Sequence, residues 1–196
     1  MILISAHLDR VVQNYDLAYK DGQHIGLLDN FAGVLLSYLV LYDDQNLRTL
    51  EAKGDVGIWH GKGEEWGLLE GAPKLTKKDV ALVVDVCAGA EYCGYDFALE
   101  NFSGFTKAQV RNMKTHLTEM EGFHVLCGDH RWTNDPAKED ETWQWRKKGI
   151  KTLCFTIPIQ CEKDGWHRFQ QDSTVDYDTM STCRQGLKRL INYLLG

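Results

Sequence analysis

Apolar positions change period several times along this chain, and each change marks an element. Met1–Ser5 is apolar almost from the first residue and reads as a short buried strand. Val11 to Gln23 holds no steady period and reads as a loop or hairpin. The period then turns helical. Phe31, Val34, Leu35, Tyr38, Leu39 and Tyr42 recur three and four residues apart, which predicts a helix ending near Asp43. Asp55–Trp59 reads as a strand, and Glu64 to Leu69 opens a second helix that Pro73 closes. Val80–Val86 is apolar apart from Asp85, the pattern of a central strand buried on both faces. Tyr95–Glu100 predicts an edge strand, Lys107 to Met120 an amphipathic helix, and Phe123–Cys127 a strand. Glu141 to Lys148 predicts a helix stopped by Gly149, and Thr152–Ile157 a strand stopped by Pro158. In the last helix, Tyr177 to Leu195, one side carries Met180, Leu187, Leu190, Ile191 and Leu194.

Strands alternate with helices almost throughout. That order predicts a three-layer α/β/α sandwich around a mostly parallel central sheet. No linker, internal repeat or low-complexity segment interrupts it, so residues 1–196 read as a single domain.

Composition narrows the picture. The 196 residues are 43% hydrophobic and 26% charged, enough for a sizeable core. A formal net charge of -6 gives no footing for nucleic acid. The basic stretches Lys74–Lys78 and Arg146–Lys151 are short and mixed with apolar residues, as solvated helix ends are. No apolar run is long enough to span a membrane. The opening MILISAHLD has neither a basic leader nor a small-residue cleavage site, so it reads as a strand rather than a targeting peptide. Six cysteines occur without any C-x-x-C pair, and most sit among apolar neighbours. Buried thiols in a reducing cytoplasm are the expectation.

In open α/β sheets ligands bind beyond the carboxyl ends of the strands. Acids and histidines collect there. His7 and Asp9 follow the first strand, Glu64 and Glu65 follow the strand ending at Trp59, and Asp85 lies near the end of the central strand. Trp166-His167 lies beyond Ile157, and Asp29 heads the first long helix. Such residue types suit zinc, and a carboxylate can bridge two ions, which makes Asp29 the natural bridge. Each residue also has an ordinary reading. Asp29 can be a helix cap, Glu64 and Glu65 first-turn acids, and His7 a satisfied core histidine. Asp85 is harder to explain that way, because a buried carboxylate is costly unless paired or metal-bound.

The stretches SAHLD, GLLDNFAG, GEEWGLLEG, VVDV and IPIQCEKDGWH occur in that order. Steps of 22, 35, 20 and 82 residues separate His7 from Asp29, Asp29 from Glu64, Glu65 from Asp85, and Asp85 from His167. In this the chain resembles the co-catalytic di-zinc aminopeptidases and their deacylase and carboxypeptidase relatives, over most of its length. The resemblance implies a shortened zinc-peptidase-like fold with two divalent ions, zinc first, with cobalt or manganese as alternatives. It implies that His7 and Asp85 bind one ion, Glu65 and His167 the other, and Asp29 both. Glu64 would move the proton from water to the leaving amine, and Asp9 would orient His7.

The sheet edge that earlier elements cover in that family predicts a homo-oligomer. The resemblance also implies short peptides or small amides as substrates, with a deacylase or a non-catalytic binding module as the competing functions. His130 and the pair Asp140-Glu141 are further candidate contacts near the site. His60 is placed in a loop, and His116 and His124 are read as structural. Trp132, Trp143, Trp145 and Trp166 can line a pocket or pack the core.

Overall fold

The computed structural model describes residues 1–8, 18–26, 29–61, 69, 71–87, 92–127, 141–161 and 173–196. In chain order the elements are β1 (Ile2–His7), β2 (Ala18–Lys20), β3 (Gln23–Gly26), α1 (Phe31–Tyr42), α2 (Gln45–Ala52), β4 (Val56–Gly61), β5 (Val80–Cys87) and β6 (Phe97–Ser103). Then come α3 (Lys107–Thr115), continued by a π-helical turn over His116–Met120, β7 (Val125–Cys127), α4 (Glu141–Lys147), β8 (Lys151–Pro158), β9 (Gln160–Cys161), β10 (Ser173–Asp176) and α5 (Tyr177–Leu195).

The central sheet runs β4-β1-β5-β8-β6-β7. All its pairings are parallel except β6 with β8, which is antiparallel. Side chains alternate across a strand, so each strand feeds two layers. Ile2 and Ile4 of β1, Leu82 and Val84 of β5, and Leu153 and Phe155 of β8 enter the larger core with α1 and α5. Leu3, Ala81, Val83 and Cys154 face the other way and meet Trp145 of α4 in a smaller core. Helices thus cover both faces, as the alternating order predicted. No helix among the described residues is long and apolar enough to cross a membrane.

Several expectations change in detail. The strand expected at an edge is β6, which lies between β8 and β7. Among the described residues its short neighbour β7 takes the edge instead, and so does β4 at the far side. His60 belongs to β4 rather than to a loop. α2, capped by Asp44, fills a stretch with little apolar content that carried no prediction. Segment 11–23 does hold part of a hairpin, since β2 and β3 pair antiparallel in a second sheet ordered β2-β3-β10-β9. Of the helix expected to open at Glu64 and to be closed by Pro73, residues 64–68 and 70 lie outside the described residues, and Leu69, Gly71 and Ala72 are not helical.

The bounds of α1 agree with its periodicity, but the buried face does not. Ala32, Leu36, Ser37, Val40 and Leu41 are buried, whereas Tyr38 and Tyr42 are exposed and stack on each other. Almost every position of this helix is apolar, so periodicity cannot choose a face. The small residues Ala32, Gly33 and Ser37 choose it, by letting the helix axis come close to the sheet. Gly186 does the same for α5, where a Cβ would stand 2.3 Å from the Phe97 ring.

Candidate metal centre

Three elements of the central layers converge on one point. β1 ends at His7. The register that pairs Ser5 with Val83 brings His7 level with Asp85, each two residues further along its strand. Both side chains fall on the α4 face by alternation. The chain leaving β1 crosses one face through α1, whereas the chain leaving β4 packs Leu69, Ala72 and Leu75 against the other. Connections that part in this way open a crevice at the carboxyl ends of the strands.

Asp29 reaches the crevice from the start of α1. The capping is done by its neighbour: Asn30 Oδ1 accepts from the Gly33 N–H at 3.0 Å. Asn30 Nδ2 donates to the Val84 carbonyl at 2.7 Å. One side chain therefore caps α1 and ties it to β5 beside Asp85, which leaves the Asp29 carboxylate out of the capping. The Asp29-Asn30 peptide is cis. Gly33 completes the joint. A Cβ there would stand 2.5 Å from the Val84 carbonyl oxygen and 2.2 Å from Asn30 Oδ1. Gly33→Ala is expected to push the first turn of α1 off β5 and to cost about 1–3 kcal/mol. Urea unfolding reads this directly, and an unchanged midpoint would show that the helix can back away freely.

His7 Nε2 lies 3.0 Å from Asp29 Oδ1 and 3.6 Å from Asp85 Oδ1. One donor atom from each of the three residues lies within 4.8 Å of the others. The residues are only 1%, 6% and 6% exposed. Two carboxylates converging on one nitrogen, away from water, call for a cation between them. Donors bound 2.0–2.1 Å from a tetrahedral zinc stand about 3.3 Å apart, and the two observed distances bracket that value. The donor set fits a small divalent cation.

The structure thus brings together His7, Asp29 and Asp85 of the residues predicted for the site. Asp9, Glu64, Glu65 and His167 lie outside the described residues, as do His130 and Asp140. Trp145 is a core residue, packed edge-on against Trp59 at 5.9 Å. His116 lies against Tyr193, consistent with its structural reading.

Glu141 is fully buried at the head of α4 and accepts a hydrogen bond from Ser5 Oγ. Burial pushes its carboxyl up to about 7, and the Asp85 charge adds to the rise. The Ser5 hydrogen bond, the His7 charge and the Trp145 indole oppose it. Asn30 and Ser5 were not anticipated. For Asn30 a signal existed in its place directly before the apolar helix.

No protein-family model matches this sequence, and no curated protein matches it. Solved structures do match in fold. The chain is similar to the aminopeptidase PepT of Bacillus cereus, with a TM-score of 0.57 and 13% identity, over 100% of this chain and 81% of that one. It is similar to a TET aminopeptidase from a marine sediment archaeon of the Thaumarchaeota, with a TM-score of 0.52 and 13% identity, over 90% of this chain and 51% of that one. It is also similar to a Thermotoga maritima protein described as an endoglucanase, with a TM-score of 0.50 and 11% identity, over 92% of this chain and 55% of that one. The chain therefore spans about half of two of these proteins. Identities this low show a shared peptidase-like fold, and a fold does not by itself specify a substrate.

Proposed function

We propose that this chain is a metal-dependent hydrolase, an aminopeptidase that removes N-terminal residues from short peptides with water activated at two divalent ions. The observation that carries the reading is the buried convergence of His7, Asp29 and Asp85 at the carboxyl ends of β1 and β5. The order and spacing of the remaining acids and His167 in the sequence support it, as does the likeness in fold to aminopeptidases.

In this reading His7 and Asp85 hold one ion, Glu65 and His167 hold the other, and Asp29 spans both. When bound, the ions supply Lewis acidity that polarises the scissile carbonyl and lets water ionise near neutral pH. Zinc suits these nitrogen and oxygen donors, and cobalt or manganese can fill the same set. Glu64 stays off the ions, takes the proton from the attacking water and passes it to the leaving amine. Asp9 would hydrogen-bond the far nitrogen of His7 and so set its tautomer.

The test is the metal content of protein purified without chelator, beside a screen of aminoacyl-nitroanilides with added zinc, cobalt or manganese. About two ions per chain together with amide hydrolysis is the expected result. Two ions without aminopeptidase activity would move the reading to a deacylase of amino-acid derivatives. No metal after reconstitution would overturn it in favour of a binding module.

A further inference from the structure

Glu141 lies outside the proposed ligand set, yet it is as deeply buried as any residue of the site. It is 0% exposed, and so is Ser5. The two residues are 136 positions apart in sequence, and their side chains meet between α4 and β1, Ser5 Oγ donating to Glu141 Oε1. Ser5 sits two residues before His7 on the same face of β1, so this contact grips the strand one side-chain step from the imidazole. α4 is itself held firmly. Thr142 and Trp145 beside Glu141 are buried, and Trp145 packs in the smaller core with Leu3, the next β1 residue on that face.

A carboxylate placed in a core solely for packing is unfavourable, since an apolar residue of similar size would avoid its desolvation. Its presence there points to a task that needs an acceptor at that spot. Ser5 Oγ donates to it, and that donor belongs to the strand that presents His7.

We infer that Glu141 is a positioning residue for the metal centre, acting through Ser5 to fix the carboxyl end of β1 and with it the placement of His7. The inference rests on the proposed metal site. A hydroxyl pinned by a buried acceptor cannot rotate away, and β1 cannot slide along β5 without breaking that bond. The role is separate from binding an ion, because Glu141 does not join the donor cluster of His7, Asp29 and Asp85.

The experiment is zinc affinity, measured by competition with a chromogenic chelator, for full-length wild type, Ser5→Ala, Glu141→Ala, Glu141→Gln and the Ser5→Ala/Glu141→Ala double variant. Melting of the metal-free forms is recorded alongside. Loss of an outer partner weakens metal affinity by about 10–100-fold. That loss is expected for each alanine variant and again, not squared, for the double variant. Glu141→Gln keeps an acceptor oxygen for Ser5 and is expected to stay within a few-fold of wild type. If Glu141→Ala does not fold, Ser5→Ala and Glu141→Gln still decide the matter. Alanine variants that melt lower but hold zinc as tightly as wild type would overturn the inference and leave the metal site standing. So would losses that multiply in the double variant, or a glutamine variant as weak as the alanine one. A wild type that binds no zinc would overturn the metal site, and this inference with it.

Discussion

Glu64→Gln is expected to keep both metal ions and to lower amide hydrolysis by about 10²–10⁴-fold, the usual contribution of a positioned proton carrier. The substitution preserves size and hydrogen-bonding reach but removes the group that accepts a proton. In the proposed assignment Glu65, its neighbour in sequence, is the ligand, so the metal count should not move. Activity on the best nitroanilide and metal content per chain, measured on one preparation, check both halves. A matching loss of metal would exchange the two glutamates. Retained metal with full activity would remove Glu64 from the chemistry.

Asp29→Ala carries the second large effect, and its value lies in what it leaves alone. A bridging carboxylate contributes to both ions, so its loss should weaken zinc binding by more than the ~100-fold upper range for an outer partner. The fold should hardly notice. Asn30, not Asp29, caps α1 and ties it to β5. Asp85 still faces His7 once Asp29 is removed. The metal-free variant is expected to unfold within about 1 kcal/mol of wild type. Asn30→Ala should do the reverse to stability. It loses the cap and leaves the Val84 carbonyl without its donor, a cost of about 2–4 kcal/mol. Zinc titration and urea unfolding of the two variants therefore separate the ligand from the cap. If Asp29→Ala unfolds as easily as Asn30→Ala, Asp29 belongs to the framework of α1 rather than to the ions.

Much of the fold was legible wherever local pattern and burial agree. The apolar run of β5 announced a central strand, and α5 buried Met180, Leu187, Leu190 and Ile191 on the side its spacing marked. Pattern misled where it was degenerate. α1 is apolar on every side, so its buried face was set by Ala32, Gly33 and Ser37 meeting the sheet. The place of β6 inside the sheet was likewise unreadable, because strand order depends on pairings between distant segments.

For the site, the sequence by itself determined which residues are candidates for the proposed chemistry. His7, Asp29 and Asp85 stand at strand ends and a helix head, where an α/β sheet presents side chains to a crevice. The tertiary structure alone decided how those side chains are held. It placed Asn30 across to Val84, so that Asn30 and not Asp29 caps α1, and it set Ser5 against Glu141 over 136 residues of chain. The reason is physical. Periodicity records what a segment needs from water and its own backbone, whereas such contacts arise only when packed layers fix which segments face each other.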